Sequence, residues 1–122
     1  MIQIAVCMRR LPHLSREEFQ RHWREIHGPL IAKHAPSTRV RRYVQVHTLH
    51  TPLLDKMRAE RGTAEPFDGI AELCWDDLSK LDPTPERVQA LKEIIEDERR
   101  FIDLSRSSLL IGEEHIVIDK TR

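Results

Sequence analysis

At 122 residues, with 20 Lys and Arg against 20 Asp and Glu, the chain is sized for one domain and carries no overall field that would draw it to nucleic acid or an anionic membrane. No apolar run approaches the roughly 20 residues needed to cross a bilayer, and the start MIQIAVCMRRL places its positive charge after its apolar part, the wrong order for a signal peptide. Two cysteines, Cys7 and Cys74, make no disulfide framework, so a reducing, cytoplasmic setting is expected.

Ile2, Ile4, Val6 and Met8 alternate with Gln3, Ala5, Cys7 and Arg9, which predicts a first strand with one greasy face. A helix follows. Ser15 and Glu18 have capping-box spacing, and Phe19, Trp23, Ile26 and Leu30 recur as an apolar stripe. Gly28 and Pro29 are expected to interrupt this helix, leaving His27 at its end on a broken turn, with residues 31–36 as a short tail. Val40, Arg42, Val44, Val46 and Thr48 then alternate with Arg41, Tyr43, Gln45, His47 and Leu49 as a second strand.

Residues 51–66 show no clean period, although Leu53, Leu54 and Met57 could form a helical turn, and are read as a long mobile loop, a candidate cover for a pocket. Residues 67–75 form a third strand whose polar face carries Glu72 and Cys74. Asp82-Pro83 and Thr84-Pro85 each offer a cap followed by proline, so a second helix starts there, with Val88, Leu91, Ile94, Ile95 and Ile102 as its core stripe and Glu98 and Phe101 near its edge. Residues 109–118 form the last strand, with Glu113, His115 and Val117 on one side.

The element order βαββαβ defines an α+β, ferredoxin-like arrangement: a four-stranded antiparallel sheet with both helices on one side. The other sheet face needs a cover, and a second copy packing sheet to sheet supplies it, making a dimeric α/β barrel.

The segments SREEFQRHWREIHGPL, RRYVQVH, FDGIAELCWDD and DERRF resemble the EthD family. The most specific part is the pattern of Phe19, Trp23, His27, Pro29 and Leu30. The resemblance implies a single EthD-like domain over residues 1–122 and a homodimer of ferredoxin-like subunits. It does not imply one reaction, because members and structural relatives include dehydratases of aromatic polyketides, muconolactone isomerases and cofactor-free oxygenases.

If the valine faces of the strands meet the helices, then Tyr43, Gln45, His47, Glu72, Cys74 and His115 point to the barrel side, with His27 reaching the pocket from the helix end. Such a set moves protons. It suits abstraction beside a carbonyl followed by dehydration, cyclisation or isomerisation of a hydrophobic aromatic, polyketide-like or lactone metabolite. In this reading His27 is the base, Tyr43 or His47 polarises an oxygen, and Trp23, Gln45, Glu72, Cys74 and His115 line the substrate. The alternatives are a cofactor-free oxygenase of phenolic substrates and a non-catalytic binder of a hydrophobic metabolite. Glu72 could instead pair with Arg9 or Arg41, and Cys74 could be a small buried hydrophobe.

No cofactor is expected. Neither is a metal, because His22 and His27 are five residues apart rather than the four that aligns ligands on an α-helix, and no paired-cysteine signature is present.

Overall fold

Strand β1 (Ile2–Met8) lies at the centre of the sheet in the computed structural model, which describes residues 1–121. It pairs antiparallel with β3 (Gly69–Trp75) on one side and β4 (Ser108–Glu113) on the other, and β2 (Arg42–His47) closes the far edge against β3. The strand order is β2-β3-β1-β4, all antiparallel. This is the ferredoxin-like α+β fold.

The first helix starts as expected. The Ser15 hydroxyl accepts from the Glu18 amide at 3.1 Å while Glu18 accepts from the Ser15 amide at 2.9 Å, and helix α1 runs over Arg16–His22. It does not stop at His27. A π-helical turn, Trp23–His27, carries the backbone into α2 (Gly28–Thr38). The Gly28 amide bonds back to the Trp23 carbonyl, five residues earlier, and this wider turn leaves room for Pro29 in the first turn of α2, where a missing N–H is harmless. The expected helix break is thus a change of pitch. Its consequence is that residues five apart share a face, so His22 and His27 both turn inward.

Most of the expected loop over residues 51–66 is a helix, with irregular chain only after it. Thr51 caps α3 (Pro52–Arg61) by accepting from the Leu54 amide, and Gly62 ends it with φ +64°, a left-handed cap that glycine adopts without strain. Sequence periodicity missed this helix because it buries no residue; caps, rather than an apolar stripe, define it.

Helix α4 (Pro85–Glu98) begins at its Thr84 cap and lies against α2. Its buried side consists of Arg87, Ala90, Ile94 and Asp97, whereas Val88 and Ile95 from the expected stripe are exposed. Ile26 is likewise exposed. The fourth strand ends at Glu113, so His115 and the apolar Ile116, Val117 and Ile118 lie beyond it in exposed chain.

The core is aromatic. Phe19, Trp23 and Phe101 are fully enclosed and join Met8, Ala71 and Ile102, with ring centroids 5.7 Å apart for Phe19 and Trp23 and 5.5 Å for Phe19 and Phe101. Gly69 is the floor under Trp23. A Cβ built there would sit 2.4 Å from the Trp23 ring and 3.0 Å from the Val46 carbonyl. Gly69→Ala is therefore expected to destabilise the fold by about 1 to 3 kcal/mol, the range for overpacking a core. Denaturant unfolding checks this, and an unchanged midpoint would mean that the indole can move aside.

Candidate functional site

Cross-strand register decides which residues meet. Tyr43 pairs with Leu73, Gln45 with Ala71 and His47 with Gly69, and these pair in turn with Ile4, Val6 and Met8 of β1. Residues directly opposite share a face, so Tyr43, Gln45 and His47 look toward the helices. Glu72 and Cys74 pair with Val44 and Arg42 on the opposite, open face. The expected inward set is therefore split between the two sides of the sheet, and His115 belongs to neither. The polar residues of β2 sit among the core because each is hydrogen-bonded there, while the valines Val44 and Val46 face away.

Glu72 pairs with neither expected arginine. Arg41 binds Asp76 at 3.0 Å, and Arg9 donates to the Pro66 and Glu65 carbonyls. Cys74 is buried, and its thiol is pushed up in pKa by burial and by the nearby Glu114 charge.

Between the helix-facing side of the sheet and α4 lies a cavity of about 250 Å³, smaller than the roughly 300–1,000 Å³ of drug-sized sites. Its walls are mostly aliphatic and aromatic. His27, Tyr43, Trp23, Glu98, Arg87 and Thr38 supply the polar groups. A larger cleft of about 930 Å³ lies elsewhere, lined by arginines including Arg9, Arg16, Arg58 and Arg106 with Asp55, Glu65 and Asp68. Helix α3 borders that open polar cleft and contributes nothing to the apolar cavity, which removes its expected role as the cavity's cover.

Asp97 organises the helix end of the cavity. Its carboxylate lies 2.8 Å from His27 Nδ1 and 3.0 Å from His22 Nε2, the pair that the π turn brings to one face. Burial opposes ionisation of Asp97, but the hydrogen bonds from His27 and His22 outweigh it and its pKa falls below the ordinary carboxylate value. An ionised carboxylate only accepts, so both ring nitrogens facing it carry hydrogens. His27 is 4% exposed. Burial lowers its pKa, with Asp97 pulling the other way, and the neutral ring that results has its proton on Nδ1 and a free lone pair on Nε2.

Glu98, the next residue, lines the same cavity. Burial, followed by the Asp97 charge, pushes its pKa up to about 7. One turn of helix thus carries two carboxyls with opposite characters, one held ionised and one that shares its proton with solvent near neutrality. Sequence reasoning missed both as site residues. The available signal was the segment DERRF, and reading the helix by apolar residues alone passed over it.

Tyr43 is locked as a donor. Its phenol oxygen accepts from Trp23 Nε1 at 3.1 Å and from Gln45 Nε2 at 3.0 Å, which uses both lone pairs and leaves its own hydrogen for another acceptor. Burial raises its pKa, so it stays a phenol. Gln45 also donates to the Trp23 carbonyl at 2.9 Å and accepts from His47 Nε2 at 2.8 Å. Gly28 leaves space for that amide, which would lie 3.1 Å from a Cβ at this position. His47 packs its ring 4.2 Å from Trp23 and does not line the cavity; burial lowers its pKa. Among the described residues no group of three His, Cys, Asp or Glu side chains is arranged to hold a metal ion, and no helix is long and apolar enough to cross a membrane.

The EthD domain model matches residues 11–105, and the chain belongs to that family. Similar solved structures include an EthD-family protein from Bacillus halodurans C-125, with 21% identity, TM-score 0.60 and coverage of 94% of this chain and 100% of that one. An EthD-like protein from Ralstonia eutropha JMP134 has 15% identity, TM-score 0.59 and coverage of 98% and 95%. A protein from Bacteroides fragilis NCTC 9343, described as dimeric, ferredoxin-like and of unknown function, has 13% identity, TM-score 0.57 and coverage of 93% and 95%. A search of curated proteins found no match.

Proposed function

We propose that this protein is a small, cofactor-independent enzyme that moves protons on a hydrophobic carbonyl compound, with dehydration, cyclisation or isomerisation of an aromatic or lactone-like metabolite as the outcome. The observation that carries the reading is the buried His27–Asp97 pair beside a cavity that His27 shares with Glu98, whose pKa is raised to about 7, and a donor-only Tyr43. His27 Nε2 takes a proton from the carbon beside the carbonyl, Asp97 stabilises the imidazolium that forms, and the Tyr43 hydroxyl donates to the developing enolate oxygen. Glu98 then delivers its proton to a departing hydroxyl, releasing water, or to a carbon further along the chain, giving an isomer. His27 and Tyr43 keep the roles their residue types suggested. His47 and Gln45 act by positioning Tyr43, and Trp23 forms the wall.

Proton abstraction can be tested without knowing the natural substrate. In deuterium oxide the enzyme is expected to exchange the α-hydrogens of small aryl ketones and aryl-substituted lactones, read by proton NMR. An absence of exchange across such a panel, together with unchanged recovery of tightly bound compound, would favour a binding protein instead.

The two titrations set a pH window. His27 acts while neutral and its pKa lies below the ordinary 6.5, whereas Glu98 acts while protonated, up to about pH 7. Activity is expected to fall above pH 7 and again in acid. Stability follows Glu98 in a defined direction: its pKa is near 4.5 when unfolded and about 7 when folded, so the folded state holds the proton more tightly and stability declines as pH rises through that interval. The shift corresponds to about 3 kcal/mol. Glu98→Gln should remove the decline, making the variant the more stable form at pH 8, and unfolding titrations at pH 4.5 and 8 measure it.

The reading includes a homodimer joined through the open sheet face. Ala5, Val44, Val46, Ile70 and Leu110 point that way, with Val46 and Leu110 exposed in the single chain, and bare apolar area of this kind is normally covered. The dimeric B. fragilis structure supports it by likeness of fold. Sedimentation at micromolar concentration should give the dimer mass; a monomer there would contradict it.

A further inference from the structure

Arg87 is the one charged group of the cavity wall that the proton-transfer scheme does not use. It sits in the first turn of α4, is 8% exposed, and lines the cavity. Its Nη1 donates to the Thr38 carbonyl at 3.1 Å, and its Nε and Nη2, which make no hydrogen bond to the protein, keep accessible surface. Among the described residues it pairs with no carboxylate, unlike Arg10, Arg41, Arg100 and Arg106.

Burying an unpaired charge is strongly unfavourable. Two features offset part of it. The Thr38 carbonyl, which also accepts from Trp75 Nε1 at 2.8 Å, belongs to the C-terminal end of α2, where helix dipoles favour a cation. The Trp75 ring lies 5.8 Å from the guanidinium carbon, within cation–π range. Against them stands Arg39, the left-handed cap of α2, whose nearby positive charge adds to burial in lowering the Arg87 pKa. A guanidinium keeps its proton even so. The result is a largely buried cation without a carboxylate partner, on a cavity wall that is mostly aliphatic and aromatic.

We infer that the cavity takes a ligand carrying a carboxylate at one end, and that Arg87 is the anchor for it. This rests on the cavity being the ligand site proposed above. Arg87 and Glu98 are eleven residues apart on one helix, an axial separation of about 16 Å, so the anchor and the proton-transfer groups stand at opposite ends of α4. The ligand is accordingly an elongated acid: its carboxylate meets the fork of Arg87, its apolar body runs along Leu91 and Ile94, and its reacting carbon lies by His27. A guanidinium suits this task because its planar donors match both oxygens of a carboxylate. The charged end also fixes which end of the molecule faces the base.

The test uses binding, which is independent of turnover. Benzoate, 2-naphthoate and 4-phenylbutyrate are each compared with the corresponding neutral amide by calorimetry at pH 8, where the acids are ionised. Wild-type protein is expected to bind at least one acid tenfold or more tightly than its amide. Arg87→Gln should abolish that preference while keeping affinity for the amide, and Arg87→Lys, which retains the charge, should keep part of it. Equal affinity of wild type for acid and amide overturns the inference and leaves the proton-transfer reading standing. A preference that survives in Arg87→Gln also overturns it. Binding of none of the six compounds overturns the cavity as a ligand site, and this inference with it, and should the Gln variant not fold, the wild-type and Lys comparisons decide alone.

Discussion

His27→Gln is expected to lower the exchange rate by about a hundredfold or more, the usual effect of removing an acid–base group, while leaving a folded protein. Glutamine is chosen because its amide can still donate to Asp97, so the carboxylate keeps a partner and the change falls mainly on the lone pair of Nε2. Asp97→Asn should also slow exchange, because the amide no longer enforces the Nδ1–H tautomer or stabilises the imidazolium. The double variant should be no slower than His27→Gln alone, since residues that act as one unit are not additive. A purely structural histidine would behave in the opposite way: the melting temperature of His27→Gln would drop and the folded fraction would retain its rate.

Trp23→Ala carries the largest expected loss of stability, about 3 to 5 kcal/mol. The side chain is fully buried, packs between Phe19 and His47, rests on Gly69, and donates to Tyr43. Removing it opens a hole beside the cavity and frees one lone pair of the phenol. Tyr43 then no longer has to point its hydrogen into the cavity. Trp23→Phe separates the effects, keeping most of the volume while losing the hydrogen bond, and should lose catalytic rate out of proportion to its smaller loss of stability. A stability change below about 1 kcal/mol for the alanine variant, the range of surface substitutions, would contradict the core placement.

Alternation and capping made much of the fold legible. Ser15, Glu18 and Thr84 announced helix starts, and the greasy face of β1 is the face that meets the core. Alternation along β2 identified two sets of residues but not which set turns inward, because that depends on cross-strand register. The hydrophobic choice failed there: Tyr43 and Gln45 are accommodated inside by mutual hydrogen bonds, and the valines lie on the open face. Helix α3 was illegible for a different reason, since it stands on the surface and has no stripe. The π turn was hidden behind Gly28 and Pro29, which in an ordinary helix signal an end. His27 was legible because it belongs to a specific pattern, whereas Asp97, Glu98 and Arg87 were not, because charged residues on a helix ordinarily mark its wet side.

The protonation of His27 tests the central claim most directly, because the mechanism needs a neutral ring with its hydrogen on Nδ1 and a free Nε2 facing the cavity. Long-range proton–nitrogen NMR on uniformly labelled protein at pH 7, with His27→Gln used to assign the signal, reads both nitrogens at once. The account predicts one neutral tautomer, protonated at Nδ1, that becomes charged only below pH 6.5. An imidazolium at pH 7, or a neutral ring with its proton on Nε2, would contradict it.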